Sequence, residues 1–271
     1  MRAFLLAAAV LGAALAPARA EPVLLHAAGS LREAMGEATR AFEAGPGGAP
    51  VSSRFGPSGL LRDEIAGGTK AEVFASANME HPLSLTRSGR AGPTVLFARN
   101  RLCALVRPGL AVTTETLLDR MLDPSVKLGT STPGADPSGD YAWLAFRRAE
   151  AARRGSRAAL EAKALRLTGG PDSPKPPPDR SLYGLIVGKG DADIFLTYCT
   201  NAALALREVP GASSVQLPEE IAVGADYGLT VMRGASEAAY GLALFILSPD
   251  GQAILARHGF TTVGAPAEAG N

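Results

Sequence analysis

Ala27-Ala28-Gly29-Ser30-Leu31 and Phe55-Gly56-Pro57-Ser58-Gly59-Leu60 are two short serine-bearing turns near the start of a 271-residue chain. Each follows an apolar run that reads as a strand, Val23–Ala27 and Val51–Phe55. Each opens a stretch with helical spacing, Leu31 to Phe42 and Leu60 to Ile65. The start of a helix carries four N–H groups without intrahelical acceptors and a partial positive charge, so a strand that ends in small residues and a serine before a helix suits an anion. Two such turns predict a place where a small oxyanion is held by donors alone.

Outward from these turns the alternation continues. Val73-Phe74-Ala75-Ser76-Ala77 is a third strand ending at the same relative level as the serines. A second set starts with Arg101–Val106 and Val126–Thr130. A Gly/Pro-rich turn from Thr130 to Asp140 then leads into a helix from Tyr141 to about Arg154. Pro171–Pro178 is a stiff connector. Ser181–Gly190 reads as a helix and Asp193–Tyr198 as a strand. After Asn201 come a helix, a strand over Tyr227–Met232, an amphipathic helix over Ala235–Leu247, and a last helix capped by Ser248-Pro249. Strand–helix–strand repetition implies an α/β fold with mostly parallel sheets flanked by helices, and ligands in such sheets bind beyond the C-terminal strand ends.

The first twenty residues read as a secretory signal. Arg2 gives a positive start, Ala3–Ala16 is apolar but too short to span a bilayer, and Ala18-Arg19-Ala20 is an A-x-A site, so cleavage is expected after Ala20. The mature chain is then a periplasmic protein with 25 basic and 26 acidic residues. No Lys/Arg cluster interleaves with aromatics, which argues against nucleic acid as a partner. Bulk charge does not draw an anion in, so local donors must hold it. Export permits a disulfide between the two cysteines, Cys103 and Cys199; two separately buried thiols are the alternative. His26, His81 and His258 are scattered without metal-ligand spacing, so no cation site is expected.

The order of these motifs resembles the periplasmic molybdate-binding proteins of ABC importers, which have the two-lobed type 2 periplasmic-binding-protein fold. The resemblance rests on the Ser30 turn (with Gly29 where alanine is more usual) and on Phe55–Ile65. It also rests on Ala71-Glu-Val-Phe-Ala-Ser-Ala77-Asn78, on Ala135–Ala142 and on Asp191-Ala-Asp-Ile-Phe-Leu-Thr-Tyr198. It implies lobe 1 from residues 21–99 plus 201–271, lobe 2 from residues 100–200, and hinge crossings near 100 and 200. The implied ligand is molybdate or tungstate in the interlobe cleft. Ser30 and Ser58 would donate O–H and N–H bonds, Ala77 its backbone N–H, and Tyr198 its phenol. No cofactor is implied; the partner is an inner-membrane ABC permease, and the chain is expected to be a monomer. Arg180 stands where the family usually offers a backbone N–H beside an apolar residue; if it faces the cleft, it would contact the anion and favour another oxyanion such as sulfate, thiosulfate or phosphate. A Cys103–Cys199 bond, lying beside both expected crossings, would tie the hinge strands.

An enzyme is not expected. Gly56-Pro57-Ser58-Gly59 does not satisfy G-x-S-x-G, and no histidine is obviously brought to Ser58 as the base a serine hydrolase needs.

Overall fold

The computed structural model describes residues 21–175 and 180–263. The expected signal segment, 1–20, and residues 176–179 of the proline-rich connector lie outside them.

The chain begins with β1 (Val23–Ala28), a 3-10 turn over Gly29–Leu31, α1 (Arg32–Ala44), β2 (Val51–Gly56), α2 (Ser58–Ala66), β3 (Val73–Ser76) and α3 (Glu80–Arg87). The long β4 (Val95–Val106) follows, then α4 (Leu117–Leu122), β5 (Leu128–Ser131), α5 (Pro137–Ala152), α6 (Ser156–Lys163) and β6 (Leu165–Thr168). Next come α7 (Leu182–Lys189), β7 (Ile194–Tyr198), α8 (Cys199–Glu208), β8 (Ser213–Gln216) and β9 (Gly224–Val231). The described chain closes with α9 (Glu237–Leu247), α10 (Pro249–Arg257) and β10 (Thr261–Thr262). The sheet order is β2-β1-β3-β9-β4-β7-β5-β6, with β8 and β10 also paired to β4.

β4 builds two lobes from this one order. Its first half, to Arg101, pairs with β9; its second half, from Leu102, pairs with β7, and β8 lies on its other side from Cys103. Strands β1, β2 and β3 are parallel, as are β5, β6 and β7, while β4 and β9 join antiparallel. The inner parallel strands β1, β3, β5 and β7 are buried on both faces, and β2 and β6 form the more exposed edges. Leu25 of β1 packs with Met35 and Leu242, whereas Phe74 of β3 packs with Leu61, Ile65 and Leu85. In the second lobe, Ile194 and Leu196 face Phe146 and Leu160, and Phe195 turns the other way onto Ile186 and Ala202.

The second crossing is not near residue 200. α8 and β8 stay with the second lobe, since Val215 and Ile221 share its core, and the chain returns only at Val223-Gly224 where β9 begins. The expected boundary failed because β8, Ser213-Ser214-Val215-Gln216, buries a single side chain and carries no readable apolar pattern.

Cys103 and Cys199 are bonded, with Cα atoms 4.9 Å apart. Cys103 follows the first crossing in β4, but Cys199 opens α8 within the second lobe, away from the second crossing, so the bond does not tie the two hinge strands as expected. It fastens the head of α8 to β4, directly beside Tyr198. Helix α5 starts at Pro137, four residues earlier than Tyr141, because the Asp136 carboxylate accepts from the Ser138 N–H and Pro137 is preset for the first helical position.

Candidate functional site

The two serine turns lie at adjoining strand ends, since β1 and β2 are parallel and in register from Val23↔Val51 to Ala28↔Gly56. Helices α5, α7, α9 and α10 are each closed by a capping side chain: Asp136, Ser181, Ser236 and Ser248. The turns carrying Ser30 and Ser58 have no side-chain cap, so their first N–H groups are not used up by the helix's own side chains.

Ser58 is buried, and its Oγ accepts from the Ala77 N–H at 3.1 Å. Two of the expected ligand donors are thereby brought together, but the Ala77 N–H is spent on Ser58 instead of facing a ligand, while the Ser58 hydroxyl hydrogen stays free to donate elsewhere. Ser30 Oγ lies 2.9 Å from the Tyr227 hydroxyl. Asn100 Nδ2 donates to Thr200 Oγ1 at 2.9 Å and reaches Tyr227 Oη at 3.4 Å. If Tyr227 accepts from Asn100, its own O–H donates to Ser30, and Ser30 in turn has a hydrogen to give. Both serines are thus poised as donors.

Tyr198 ends β7, fully buried, with its ring edge-on to Tyr227 at 5.6 Å and to Tyr141 at 6.3 Å between centroids. These rings bridge the lobes, since Tyr227 sits on β9 and Tyr141 on α5. The Tyr198 hydroxyl is buried without a hydrogen-bond partner, as is the Ser138 hydroxyl near the start of α5. Buried polar atoms are nearly always paired, so each is a donor awaiting an acceptor. Burial, and next the neighbouring Tyr227, hold the Tyr198 phenol well above the ordinary tyrosine range. Burial likewise pushes Tyr141 up to about 12. These phenols are protonated donors at any physiological pH.

The Asp136 carboxyl shares this region, with Asp140 and Asp226 near Tyr141. Burial pushes Asp136 up to about 6 against the two bonds it accepts, and its charge in turn raises the Tyr198 and Tyr227 phenols.

Arg180 is not brought to the cleft. Its Nε donates to Glu208 Oε2 at 2.9 Å on the surface, and Glu208 also accepts the Ser181 N–H at 2.7 Å. Glu208 ends α8, nine residues from the Cys199 end that adjoins Tyr198, which at 1.5 Å per residue is roughly 14 Å away. Nor does either serine meet a histidine: Ser58 faces Ala77, Ser30 faces Tyr227, and His258 Nε2 is engaged by Glu37 at 2.7 Å. Among the described residues no group of three or more His, Cys, Asp or Glu is arranged to hold a metal ion. Sequence reasoning missed Tyr227, Asn100, Thr200 and Ser138. Ser138 lay within the Ala135–Ala142 motif, whereas Asn100 fell outside the strand legible in the sequence, which began at Arg101.

Similarity to known proteins converges on this architecture. A protein of Pasteurella multocida designated PM1146 is 37% identical over 180 residues, covering 66% of this chain and 74% of its own. The sulfate-binding protein SubI from Mycobacterium tuberculosis superposes with a TM-score of 0.73 at 18% identity, covering 90% of this chain and 88% of that one. The periplasmic molybdate-binding protein of Azotobacter vinelandii does so at 0.69 and 17% identity, covering 89% and 99%. At such identities the two structures speak for the fold alone. The family model for bacterial extracellular solute-binding proteins matches residues 23–261, almost the whole described chain, and the protein belongs to that family.

Proposed function

We propose that this protein captures a small tetrahedral oxyanion, molybdate or tungstate, between its lobes in the periplasm and delivers it to an inner-membrane ABC permease. The observation that carries the reading is the buried Tyr198 hydroxyl without a protein partner, whose ring packs on Tyr227, the partner of Ser30. The reading adds the Ser58 hydroxyl, beside the Gly59 contact with the second lobe, and the unpartnered Ser138 hydroxyl. Molybdate and tungstate offer only acceptors at neutral pH, so their binder needs convergent donors. Hydrogen bonds to a charged acceptor in a water-poor cleft are among the stronger ones. Ligand size then separates these anions from the smaller sulfate. A solute-binding protein of the molybdate type and one of the sulfate type share this fold, which supports the ligand class without choosing within it.

One observation favours a second reading. Arg180 no longer supports another oxyanion, but the Asp136 carboxyl does: a carboxylate repels a fully ionised anion and accepts from one that keeps a proton, such as hydrogen phosphate.

Thermal-shift titration of the mature, ligand-stripped protein against molybdate, tungstate, sulfate, thiosulfate and phosphate tests both. A large shift with molybdate and tungstate alone supports the first reading, and a shift with phosphate alone supports the second. No shift with any of the five removes the oxyanion assignment. In the first case Ser58→Ala is expected to weaken binding about 10- to 100-fold, the loss of one charge-assisted bond. An unchanged affinity would remove Ser58 from the site.

A further inference from the structure

The N-terminus of α2 touches the opposite lobe at Gly59. This residue occupies the second position of α2, where an N–H has no acceptor within its own helix. Its N–H donates instead to the Ala135 carbonyl at 2.9 Å, in the turn between β5 and α5. A Cβ placed on Gly59 would stand 2.4 Å from the Gly134 carbonyl oxygen and 2.6 Å from that of Ala135. Both are backbone atoms of a pinned turn: the Asp136 N–H donates to Thr132 O, and the Gly134 N–H to Asp140 Oδ1. The turn cannot yield as a flexible side chain would. Glycine is needed here for space, because Gly59 is not among the positive-φ glycines.

We propose that Gly59 and Ala135 form the latch of lobe closure: the bond is made when the cleft shuts, is broken when it opens, and depends on a glycine at position 59. Closure through this contact sets Ser58, one residue earlier in the chain, against the second lobe. Any side chain at 59 props the lobes apart while leaving the lobe interiors untouched. Alanine is also the better helix former, so α2 itself is not weakened by the exchange.

The test compares the wild-type mature protein with Gly59→Ala, and with Gly241→Ala as a control whose added Cβ meets the Phe42 ring at an ordinary 3.5 Å. Amide hydrogen exchange at residue 59 and the radius of gyration from small-angle scattering are measured with and without saturating molybdate. In the wild type the Gly59 amide is expected to exchange at least tenfold more slowly with saturating molybdate than without it. In Gly59→Ala that protection is lost and the radius of gyration rises, while the sheet amides of both lobes keep theirs and molybdate affinity falls at least tenfold. Gly241→Ala behaves as wild type. A Gly59 amide that exchanges at the same rate with and without bound molybdate overturns the latch, as does a Gly59→Ala protein that is as compact and protected as the wild type. If Gly59→Ala does not fold, the wild-type amide decides alone. A wild type that answers to none of the five anions sinks the oxyanion reading, while the compactness of Gly59→Ala against the wild type still decides the latch.

Discussion

Tyr198 brings the chemistry of the site down to one atom. Its ring is held by Tyr141 and Tyr227, so its position does not depend on the hydroxyl. That hydroxyl has no partner in the protein, and a buried unpaired polar group costs about 1–3 kcal/mol. Tyr198→Phe is therefore expected to leave the ligand-free protein as stable as the wild type or up to about 1 kcal/mol more stable. The same change should weaken oxyanion binding about 10-fold or more. Paired thermal melts and titrations check both halves; a ligand-free variant that melts markedly lower would show that the hydroxyl serves the fold instead. Residue by residue, the sequence was informative where function follows from local pattern. Ser30 and Ser58 were legible because strand, small residue, serine and helix occur in order within a few positions. Tyr227 was not, since it meets Ser30 across 197 residues of chain. Arg180 misled for the same reason: its partner Glu208 lies 28 residues on, and a long charged side chain goes to whichever counter-charge the fold presents.

At the level of elements, α8 and β4 carry the second half of the site. The Cys103–Cys199 bond joins them across 96 residues of chain and holds Tyr198 and Thr200 beside Asn100. Removing a native disulfide that closes a long loop typically costs 2–5 kcal/mol. The double variant Cys103→Ser, Cys199→Ser is expected to lose about that much in a denaturant melt. It should also bind oxyanion more weakly, because the Tyr198 corner loses its anchor. The oxidised wild type, once unfolded, should show no free thiol, and two reactive thiols would contradict the bond. Strand β4 shows how an element escapes local reading. Only Arg101–Val106 has the apolar run of a buried strand, whereas Val95–Asn100 mixes exposed and buried positions, including Arg99 and Asn100. Pairing with β9 extends it to twelve residues.

For the whole molecule, acid stability follows from histidines buried in the first lobe. His81 has both ring nitrogens unpartnered and is held down to about 4, chiefly by burial and then by the Arg62 charge. His26 is lowered in the same direction by burial. A histidine whose folded pKa lies below its unfolded value takes up its proton more readily when unfolded. Its contribution is complete above pH 6.5 and is lost as the pH falls from there toward 4. Wild type should lose on the order of 2 kcal/mol more than His81→Asn between pH 7 and 4.5. Urea midpoints of the two proteins at both pH values measure it; parallel losses would clear His81 of the effect.

The sequence by itself determined the α/β class, the two serine turns and their common level at parallel strand ends. Each depends on residues a few positions apart, where periodicity, turn chemistry and helix-start electrostatics act. Only the tertiary structure decided where the chain returns to the first lobe, that the disulfide lies within the second, and that Arg180 turns outward to Glu208. It alone brought Asn100, Tyr227 and Ser30 into one chain of donors, and left room for nothing larger than glycine at position 59. These features are set by contacts between segments up to about two hundred residues apart, which form only as sheets pair and lobes meet, so no local pattern records them.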